Sequence, residues 1–366
     1  MPQALQRYAL CRQCAERQCL GLGLFELVNG DDCFICEGIM SRVQRLARKA
    51  VIAVRGYDFE TFAVGIAVPA DVQEREDELR SMMKLRGRET LKVHLSRLIT
   101  EQLASSLKKK PDKERPELVA VINIENESVD VTSSPLFYYV RYTKPEGVSQ
   151  RRELCQSCRG KGCAECEFSG YSGGPTVEEP LRRRLERVTG CRDVRITWLG
   201  SEDVDSRVYP PGRPVLVELK NPRRRSLPRS FLVRQRGGLI RFAKGRILPG
   251  RPASLPGFKF RTRIYAEGAE LDVKRLRLLP RVFRNTDVTF RRPNGRPVKK
   301  RVYMARGVLK EGQLVIDAEL DGGLPVKRFV MGDLVSPSIS EVLKTEVRCR
   351  KFDILRVIEK GEFVFA

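Results

Sequence analysis

Short apolar runs bounded by polar or Pro/Gly-containing segments recur along the chain. Runs of this length that are rich in Val, Ile, Leu and Tyr are typical of β-strands with at least one buried face. One longer segment alternates apolar and polar residues as a β-hairpin does. These predicted strands lie at residues 51–69 (the hairpin), 118–124, 136–142, 194–199 and 215–219.

Helical spacing of apolar residues appears in three other segments. Residues 89–107 carry Leu or Ile at three- and four-residue intervals, which predicts an amphipathic helix facing a core. Residues 37–50 and 176–188 predict two more helices, the second capped by Thr176 with Glu179 three residues later. Because strands and helices are mixed in a chain of 366 residues, we expect an α+β fold of two or three domains.

The charge of the chain indicates a polyanionic partner. Lys and Arg number 69 against 46 Asp and Glu, a formal net charge of +23, and the basic residues are clustered. Nucleic acid fits better than a membrane, since no basic amphipathic helix has an aromatic face. No run is apolar for long enough to cross a bilayer or to resemble a signal peptide, so we expect a cytoplasmic protein. The only histidine, His94, lies off the apolar stripe of its helix, which argues against histidine-dependent catalysis.

Eight of the eleven cysteines form four C-x-x-C pairs. Without a secretion signal, this pattern favours zinc over disulfides. Four thiolates close a tetrahedron around zinc, so such sites are structural. The first predicted site uses Cys11, Cys14, Cys33 and Cys36, with Cys19 as a core residue or an alternative ligand. The second uses Cys155, Cys158, Cys163 and Cys166.

The second cysteine group leaves alternatives open. Only four residues separate its two pairs, which makes the tetrahedron demanding. One pair could be vestigial, or it could complete a site with residues elsewhere in the chain. We therefore predict one or two structural zinc ions.

An acidic turn at residues 200–214, GSEDVDSRVYPPGRP, lies between two predicted strands. A carboxylate fixed between rigid strands is positioned for a ligand, although a solvated acidic loop is the simpler interpretation. The stretch resembles the G-R-E-D-x-D-x-R-x-L-G-x-G-R-P-F signature of the archaeal-type tRNA pseudouridine(54/55) synthases, which carry zinc and THUMP-like domains. The matching residues are Gly200, Glu202, Asp203, Asp205, Arg207, Gly212, Arg213 and Pro214.

Three positions depart from this signature. Ser201 replaces an arginine, Ser206 replaces a small apolar residue, and residues 208–210 replace the Leu-Gly region. The resemblance implies that Asp203 is the catalytic carboxylate. Tyr265, in T-R-I-Y-A, resembles the family tyrosine that lies against the target base. Residues 324–343 resemble the block whose basic residue pairs with the catalytic aspartate, which implies this role for Lys327.

The resemblance also suggests RNA contacts. Residues 115–150 resemble the second half of a THUMP domain, a domain implied to hold the acceptor end of tRNA. Arg207 could brace the turn or bind the RNA backbone. Arg213 is also a predicted RNA contact, and it could form a supporting pair with Glu218. The residues predicted to contact RNA are Arg141, Lys144, Arg207, Arg213, Arg223, Arg224 and Arg225. For the last three, a flexible surface loop is the alternative.

These inferences divide the chain into four parts. They are a zinc module at residues 1–40, a THUMP-like domain at 41–150, a second zinc knuckle at 151–175 and a pseudouridine-synthase-like catalytic domain with a mixed β-sheet at 176–366. The resemblance implies isomerisation of uridine 54, uridine 55 or both in the T-loop of tRNA, without a catalytic cofactor. We expect a monomer, because nothing in the sequence demands a dimer. The alternatives are a catalytically inactive tRNA-binding or chaperone paralogue and a zinc-stabilised adaptor in a larger RNA–protein assembly.

Overall fold

The computed structural model of the chain describes residues 8–18, 26–268, 271–292 and 295–365. Cys19, the extra thiol, lies outside these residues. The chain divides into two compact units, Met1–Pro135 with Lys220–Arg225 and Leu136–Leu219 with Ser226–Ala366. None of the helices in the described ranges combines the length and apolar composition needed to cross a bilayer.

The first unit packs helices against a small mixed sheet. Its four strands lie in the order β2-β1-β3-β4, with β1 parallel to β3. Its elements are α1 (Arg12–Arg17), a 3₁₀ helix (Ile39–Arg42), α2 (Val43–Val54), β1 (Thr61–Ala67), α3 (Ala70–Met82), α4 (Leu91–Leu107), β2 (Lys110–Pro111), β3 (Leu118–Asn123) and β4 (Val129–Ser133).

Helix α4 confirms the amphipathic pattern. Leu95, Ile99 and Leu103 are fully buried in the core of the unit. Thr90 caps the helix by accepting a hydrogen bond from the Val93 amide at 3.3 Å. Capping satisfies one of the amides that have no partner inside the helix.

The predicted hairpin at residues 51–69 is wrong. Its first four residues belong to helix α2, which ends at Val54 and whose buried residues include Leu46, Ala50 and Val54 at helical spacing. Only β1 is a strand, and it pairs in parallel with β3 and not with a neighbouring hairpin strand. A short apolar run fits a buried helix end as well as a strand, so periodicity alone does not distinguish the two.

The second unit is built on an eleven-stranded sheet. The strand order is β15-β12-β13-β14-β11-β16-β7-β5-β9-β8, with β6 paired to β7. Its elements are β5 (Leu136–Lys144), a 3₁₀ turn (Ala164–Cys166), α5 (Glu178–Thr189), β6 (Asp193–Trp198), β7 (Val208–Lys220), β8 (Phe231–Gln235), β9 (Gly238–Leu248), β10 (Pro252–Ser254), β11 (Gly257–Gly268), α6 (Val273–Leu276), α7 (Leu279–Val282), β12 (Thr286–Arg291), β13 (Pro297–Lys310), β14 (Gln313–Asp321), α8 (Val326–Met331), β15 (Val335–Ser336), α9 (Ile339–Leu343), β16 (Val347–Lys360) and β17 (Val364–Phe365).

Strand β5 lies in this large sheet, between β7 and β9. Tyr138, Val140 and Tyr142 are fully buried in the main core of the second unit. The sequence-based boundary at residue 150 instead assigned this strand to the THUMP-like domain. The difference arises because β5 pairs with β7, about seventy residues later in the chain, and strand pairing over such a distance leaves no local signal.

Strands β7 and β16 meet at one point only. They run parallel there, with Val208 opposite Ile354. On the N-terminal side of this point, the chain between β6 and β7 leaves the sheet as the acidic turn. The turn therefore lies where two strands in the middle of the sheet diverge.

Candidate active site

An ion pair lies at the centre of the acidic turn. The Lys327 Nζ atom, near the N-terminus of α8, is 2.9 Å from Asp203 Oδ2. Both side chains remain partly accessible, at 48% and 37% of their surface respectively. Contact with Asp203 raises the pKa of Lys327 above its usual value of 10.5, since the carboxylate stabilises the ammonium. The pair thus combines a solvent-reachable carboxylate with a permanent cation.

Two clefts open at this pair. One, of about 290 Å³, has apolar walls that include Phe260, Phe352 and Ile354. The other, of about 640 Å³, is polar and is lined on its far side by residues that follow β5, including Gln150 and Arg151. Both clefts are lined by Ser201, Glu202, Asp203 and Lys327. A ligand in either cleft can therefore reach the Asp203 carboxylate.

Glu202 anchors the acidic turn to the interior of the second unit. Its side chain is fully enclosed, and its carboxylate is 2.9 Å from Arg213 Nη1. The Tyr142 hydroxyl donates to Glu202 Oε1 at 2.5 Å, and Gln150 Nε2 donates to Oε2 at 3.1 Å. A buried carboxylate requires such partners, because an unpaired charge in the interior is costly. The network fixes the residue next to Asp203.

Lys144 anchors the acidic turn through the backbone carbonyls of the turn. Its ammonium donates to the backbone carbonyls of Asp203 at 3.1 Å, Val204 at 3.3 Å and Ser206. The three N–H groups of the ammonium thereby match three carbonyl oxygens. Burial lowers the pKa of Lys144, because desolvation disfavours its charged form. Its donors are directed at the backbone and not at solvent.

Three basic residues that the sequence predicted to contact RNA are buried in the structure. Arg141, Lys144 and Arg213 are 6%, 3% and 8% exposed. Arg141 donates to the carbonyls of Gly212 at 2.8 Å and Val357 at 3.0 Å, and it pairs with Glu359 at 2.6 Å. Since their donors are used inside the protein, these residues position the turn and the sheet beneath it.

The suggested pair of Arg213 with Glu218 is also corrected. Arg213 pairs with Glu202, as described above, and its Nη2 atom donates to the Leu199 carbonyl at 3.3 Å. Residues 213 and 218 are an odd number of positions apart on β7, so their side chains point to opposite faces of the sheet.

Tyr265 lies outside the lining of both clefts. Its hydroxyl is 3.5 Å from Asp353 Oδ2, and Lys351 Nζ lies 5.4 Å from the ring centroid. Asp353 also accepts a hydrogen bond from the Arg207 amide at 2.9 Å. Burial and the nearby Asp353 carboxylate raise the pKa of Tyr265. The tyrosine is thus connected to the acidic turn through Asp353 and the backbone of Arg207.

The remaining predicted RNA contacts have accessible side chains in most cases. Arg207 is exposed and lies 3.4 Å from Glu146. Arg223 and Arg224 are exposed in the first unit. Arg225 is largely buried and donates to Ser133 Oγ at 3.2 Å and to the Ser134 carbonyl at 3.1 Å. Arg225 therefore anchors its segment.

Sequence reasoning missed Tyr142, Gln150, Glu202 and Asp353 as residues that support the site. Glu202 carried a signal, because a glutamate stands at its place in the signature. Tyr142 and Gln150 come from the segment assigned to another domain, and nothing in their local sequence indicates a role.

The two cysteine groups have the geometry of metal sites. Within each group, the four sulfur atoms lie within 4.8 Å of one another. Cys11 and Cys36 sulfurs are 3.8 Å apart, and Cys158 and Cys166 sulfurs are 3.7 Å apart. A tetrahedron with metal–sulfur bonds of about 2.3 Å has edges of about 3.8 Å, whereas a disulfide bond is about 2.05 Å long. Both groups can hold a metal ion.

Glycine residues allow the tight turns in the short loop between the two cysteine pairs of the second group. Gly160 and Gly162, both within this loop, have φ +92° and +91°, a backbone conformation that favours glycine. Backbone amides also donate to the sulfurs, from Gly162 to Cys158 at 3.2 Å and from Gly170 to Cys166 at 3.3 Å. Such hydrogen bonds stabilise thiolates and orient them toward a common centre.

Comparisons with known proteins agree with the division into two units. The family model of the archaeal Pus10 THUMP domain matches residues 46–123, within the first unit. Proteins named "tRNA pseudouridine synthase Pus10" match nearly the whole chain. The one from Korarchaeum cryptofilum (strain OPF8) is 30% identical over 363 residues, covering 91% of this chain and 95% of the relative. The one from Nitrosopumilus maritimus (strain SCM1) is 28% identical, covering 96% and 95%.

The THUMP domain match and these relatives over nearly the whole chain define the chain as an RNA pseudouridine synthase by class. The chain belongs to the Pus10 family of tRNA pseudouridine synthases. The family predicted from residues 200–214 is therefore confirmed. A crystal structure of a Cbf5-Nop10-Gar1 complex matches 60% of this chain and 48% of its own at a TM-score of 0.34 and 11% identity, too low a likeness to carry an argument.

Proposed function

We propose that this protein converts uridine to pseudouridine in tRNA, at T-loop position 54, position 55 or both, and that Asp203 is its catalytic carboxylate. The observation that carries the proposal is the Asp203–Lys327 pair, partly accessible at the meeting point of two clefts. Every other described carboxylate of the turn is either enclosed, as Glu202 is, or exposed without a lysine partner, as Asp205 is.

The reaction needs only one such carboxylate. The bond from uracil N1 to ribose C1′ breaks, the base turns, and a bond from C5 to C1′ forms, while N1 gains a proton and C5 loses one. Asp203 acts either as a nucleophile at C1′ or as a base that removes the ribose C2′ proton to form a glycal. Lys327 balances its negative charge and orients it toward the cleft. The uridine leaves its stack to enter the site.

The other proposed roles rest on accessibility. Tyr265 is half-buried and lines neither cleft, but it is connected to the acidic turn through Asp353, and on the family resemblance we assign its ring to the target base. Arg207, Arg223 and Arg224 are exposed and remain proposed phosphate contacts. Zinc is the metal proposed for both cysteine groups, because four thiolates in a tetrahedron are the ligand set it prefers. We also propose that the protein is cytoplasmic and that it is a monomer. Sedimentation of the purified protein tests the monomer.

The direct test uses unmodified tRNA transcript and carbodiimide mapping of pseudouridine. Wild-type protein should form product at position 54 or 55, and Asp203→Asn should form none while binding the transcript with similar affinity. Equal product from both proteins would refute the role of Asp203.

A second candidate, an inactive tRNA-binding paralogue, is favoured by one observation. Ser201 stands in place of the signature arginine and lines both clefts, so a cation is missing there. Tight binding of tRNA without product from the wild type would establish this alternative. Product gained only by Ser201→Arg would show that the missing arginine is the cause.

A further inference from the structure

An apolar pocket of about 440 Å³ lies beside the Asp203 cleft in the second unit. The pocket and the cleft share Gly200, Arg213, Phe260 and Gly323 in their linings. A ligand seated at Asp203 can therefore extend into the pocket. The apolar walls are formed by Leu199, Leu255, Pro256, Phe258, Phe260 and Val357.

Two aromatic side chains contribute to the apolar wall of this pocket. Phe258 and Phe260 are two positions apart on β11, so both side chains point to the same face of the sheet. Leu255, at 36% exposure, forms the accessible side of the pocket. A wall of this kind suits a planar ring better than a sugar or a peptide backbone.

The mouth of the pocket carries an uncompensated positive charge. Lys360 is held by Asp321 at 3.0 Å and by the Tyr303 hydroxyl at 2.6 Å. Lys300 also lines the pocket, and no carboxylate pairs with it in the described part of the chain. In contrast, the adjacent Lys299 is 2.9 Å from Asp287. Lys300 is therefore free to bind an anion at the pocket entrance.

A planar ring with apolar faces, joined to an anion, describes a nucleotide. On the basis of the proposed function, we propose that this pocket receives the base of a second nucleotide of the substrate RNA, adjacent to the uridine at Asp203, with Lys300 on its phosphate. Extruding the uridine removes a stacking partner from its neighbour. Phe258 and Phe260 replace that stacking, so the pocket stabilises the opened loop.

The first test pairs a protein change with an RNA change. Leu255→Trp fills the pocket, and an abasic nucleotide on either side of the target uridine removes the base proposed to enter it. Binding to tRNA transcripts is measured with the full chain carrying Asp203→Asn. One flanking abasic site should weaken binding about fivefold or more, since stacking a base on an aromatic ring is worth that much.

The same abasic site should have no effect on the Leu255→Trp protein, whose pocket is already filled. Leu232→Trp is the matched control, because Leu232 is 60% exposed on edge strand β8; this protein should remain sensitive to the abasic site. If neither flanking abasic site weakens binding, or if all three proteins respond equally, the inference is refuted.

The second test does not depend on how Leu255→Trp folds. Lys300→Gln should lower the slope of log affinity against log salt by about 0.7, the effect of one lost contact to single-stranded phosphate. Lys299→Gln removes the same charge from a lysine that is already paired, and it should change the slope less. Equal slopes for the two variants would also refute the inference.

The outcomes are separable from those of the proposed function. Product formation that requires Asp203, without coupling between Leu255 and an abasic site, refutes only the second-base pocket. Coupling without product formation supports the pocket and refutes the enzyme.

Discussion

The Glu202 carboxylate is 2.9 Å from the Arg213 guanidinium and has no exposure to solvent. This pair links the acidic turn to strand β7, and its glutamate, Glu202, directly precedes Asp203 in the chain. Because the charges are buried and hydrogen bonded, they specify one conformation of the turn. The partly exposed Asp203–Lys327 pair depends on that conformation.

Removing one partner of the buried pair should be costly. Arg213→Ala leaves the Glu202 carboxylate enclosed without its cation, and we expect the free energy of unfolding to fall by about 3–5 kcal/mol. Trp198, the only tryptophan, is a suitable fluorescent probe, because its ring packs edge-on at 5.8 Å against Tyr142, which bonds Glu202. A loss below about 1 kcal/mol would contradict the structural role of this pair.

Gly200 should not tolerate a side chain. Its φ is +99°, and a Cβ atom would lie 2.0 Å from Arg213 Nη2. Gly200→Ala should therefore displace Arg213 and lower the free energy of unfolding by about 1–3 kcal/mol, with loss of activity. The matched control is Gly312→Ala, where φ is also positive, at +78°, and a Cβ atom would meet nothing within 4 Å. Similar unfolding midpoints for both variants in urea would refute this explanation.

Ser206 should be replaceable by alanine. The side-chain hydroxyl of Ser206 is buried and has no hydrogen-bond partner among the described residues. The backbone carbonyl of Ser206 accepts a hydrogen bond from the Lys144 ammonium. Removing an unsatisfied buried hydroxyl is expected to be neutral or to stabilise the fold by up to about 1–3 kcal/mol. The urea midpoint of Ser206→Ala should equal or exceed that of the wild type. A clear decrease would indicate a hydroxyl partner, such as a buried water molecule.

The pH dependence of the ion pair follows from Lys327. Its pKa is raised above the usual 10.5 by Asp203, so the folded state holds this proton more tightly than the unfolded chain. The stabilising contribution is therefore complete below about pH 10.5 and is lost as the pH rises through the folded-state pKa. Lys327→Arg should keep a high-pH plateau of activity and Lys327→Met should lose activity at every pH. A decline of wild-type activity near pH 8 that is absent in Lys327→Arg would assign a lower pKa to Lys327 and contradict this view.

Removal of metal should affect the two cysteine groups separately. Cys11→Ser with Cys14→Ser should remove one metal equivalent, and Cys155→Ser with Cys158→Ser should remove another, as measured by elemental analysis of purified protein. We expect the first change to destabilise the first unit strongly, because all four of its sulfurs belong to a buried core. An unchanged metal content in either variant would refute the corresponding site.

Local sequence was sufficient for several elements. Helix α4 followed from the spacing of its apolar residues, and strand β3 from a short Val/Ile run, because each pattern is complete within one segment. The two cysteine groups that can hold a metal ion followed from the spacing of their cysteines, since C-x-x-C places two sulfurs on one turn. The position of Asp203 followed from its signature.

Pairing over long distances was not predictable in the same way. Arg141, Lys144 and Arg213 appear as ordinary basic residues in the sequence, and their positions in segments that resemble the family suggested RNA contacts. Only the folded sheet shows that β5 and β7 are neighbours and that these cations are enclosed among carboxylates and carbonyls. Burial depends on the whole tertiary arrangement, and it changes the role of a cation from binding an external anion to supporting an internal one.

Composition, cysteine spacing and the signature around Asp203 thus indicate the family and single out a candidate carboxylate, because those features are local in the chain. Which cations hold that carboxylate in place, where Tyr265 lies relative to it, and the existence of the pocket at Phe258 and Phe260 were decided by tertiary structure. The physical reason is that these features depend on which strands become neighbours and which side chains lose contact with water.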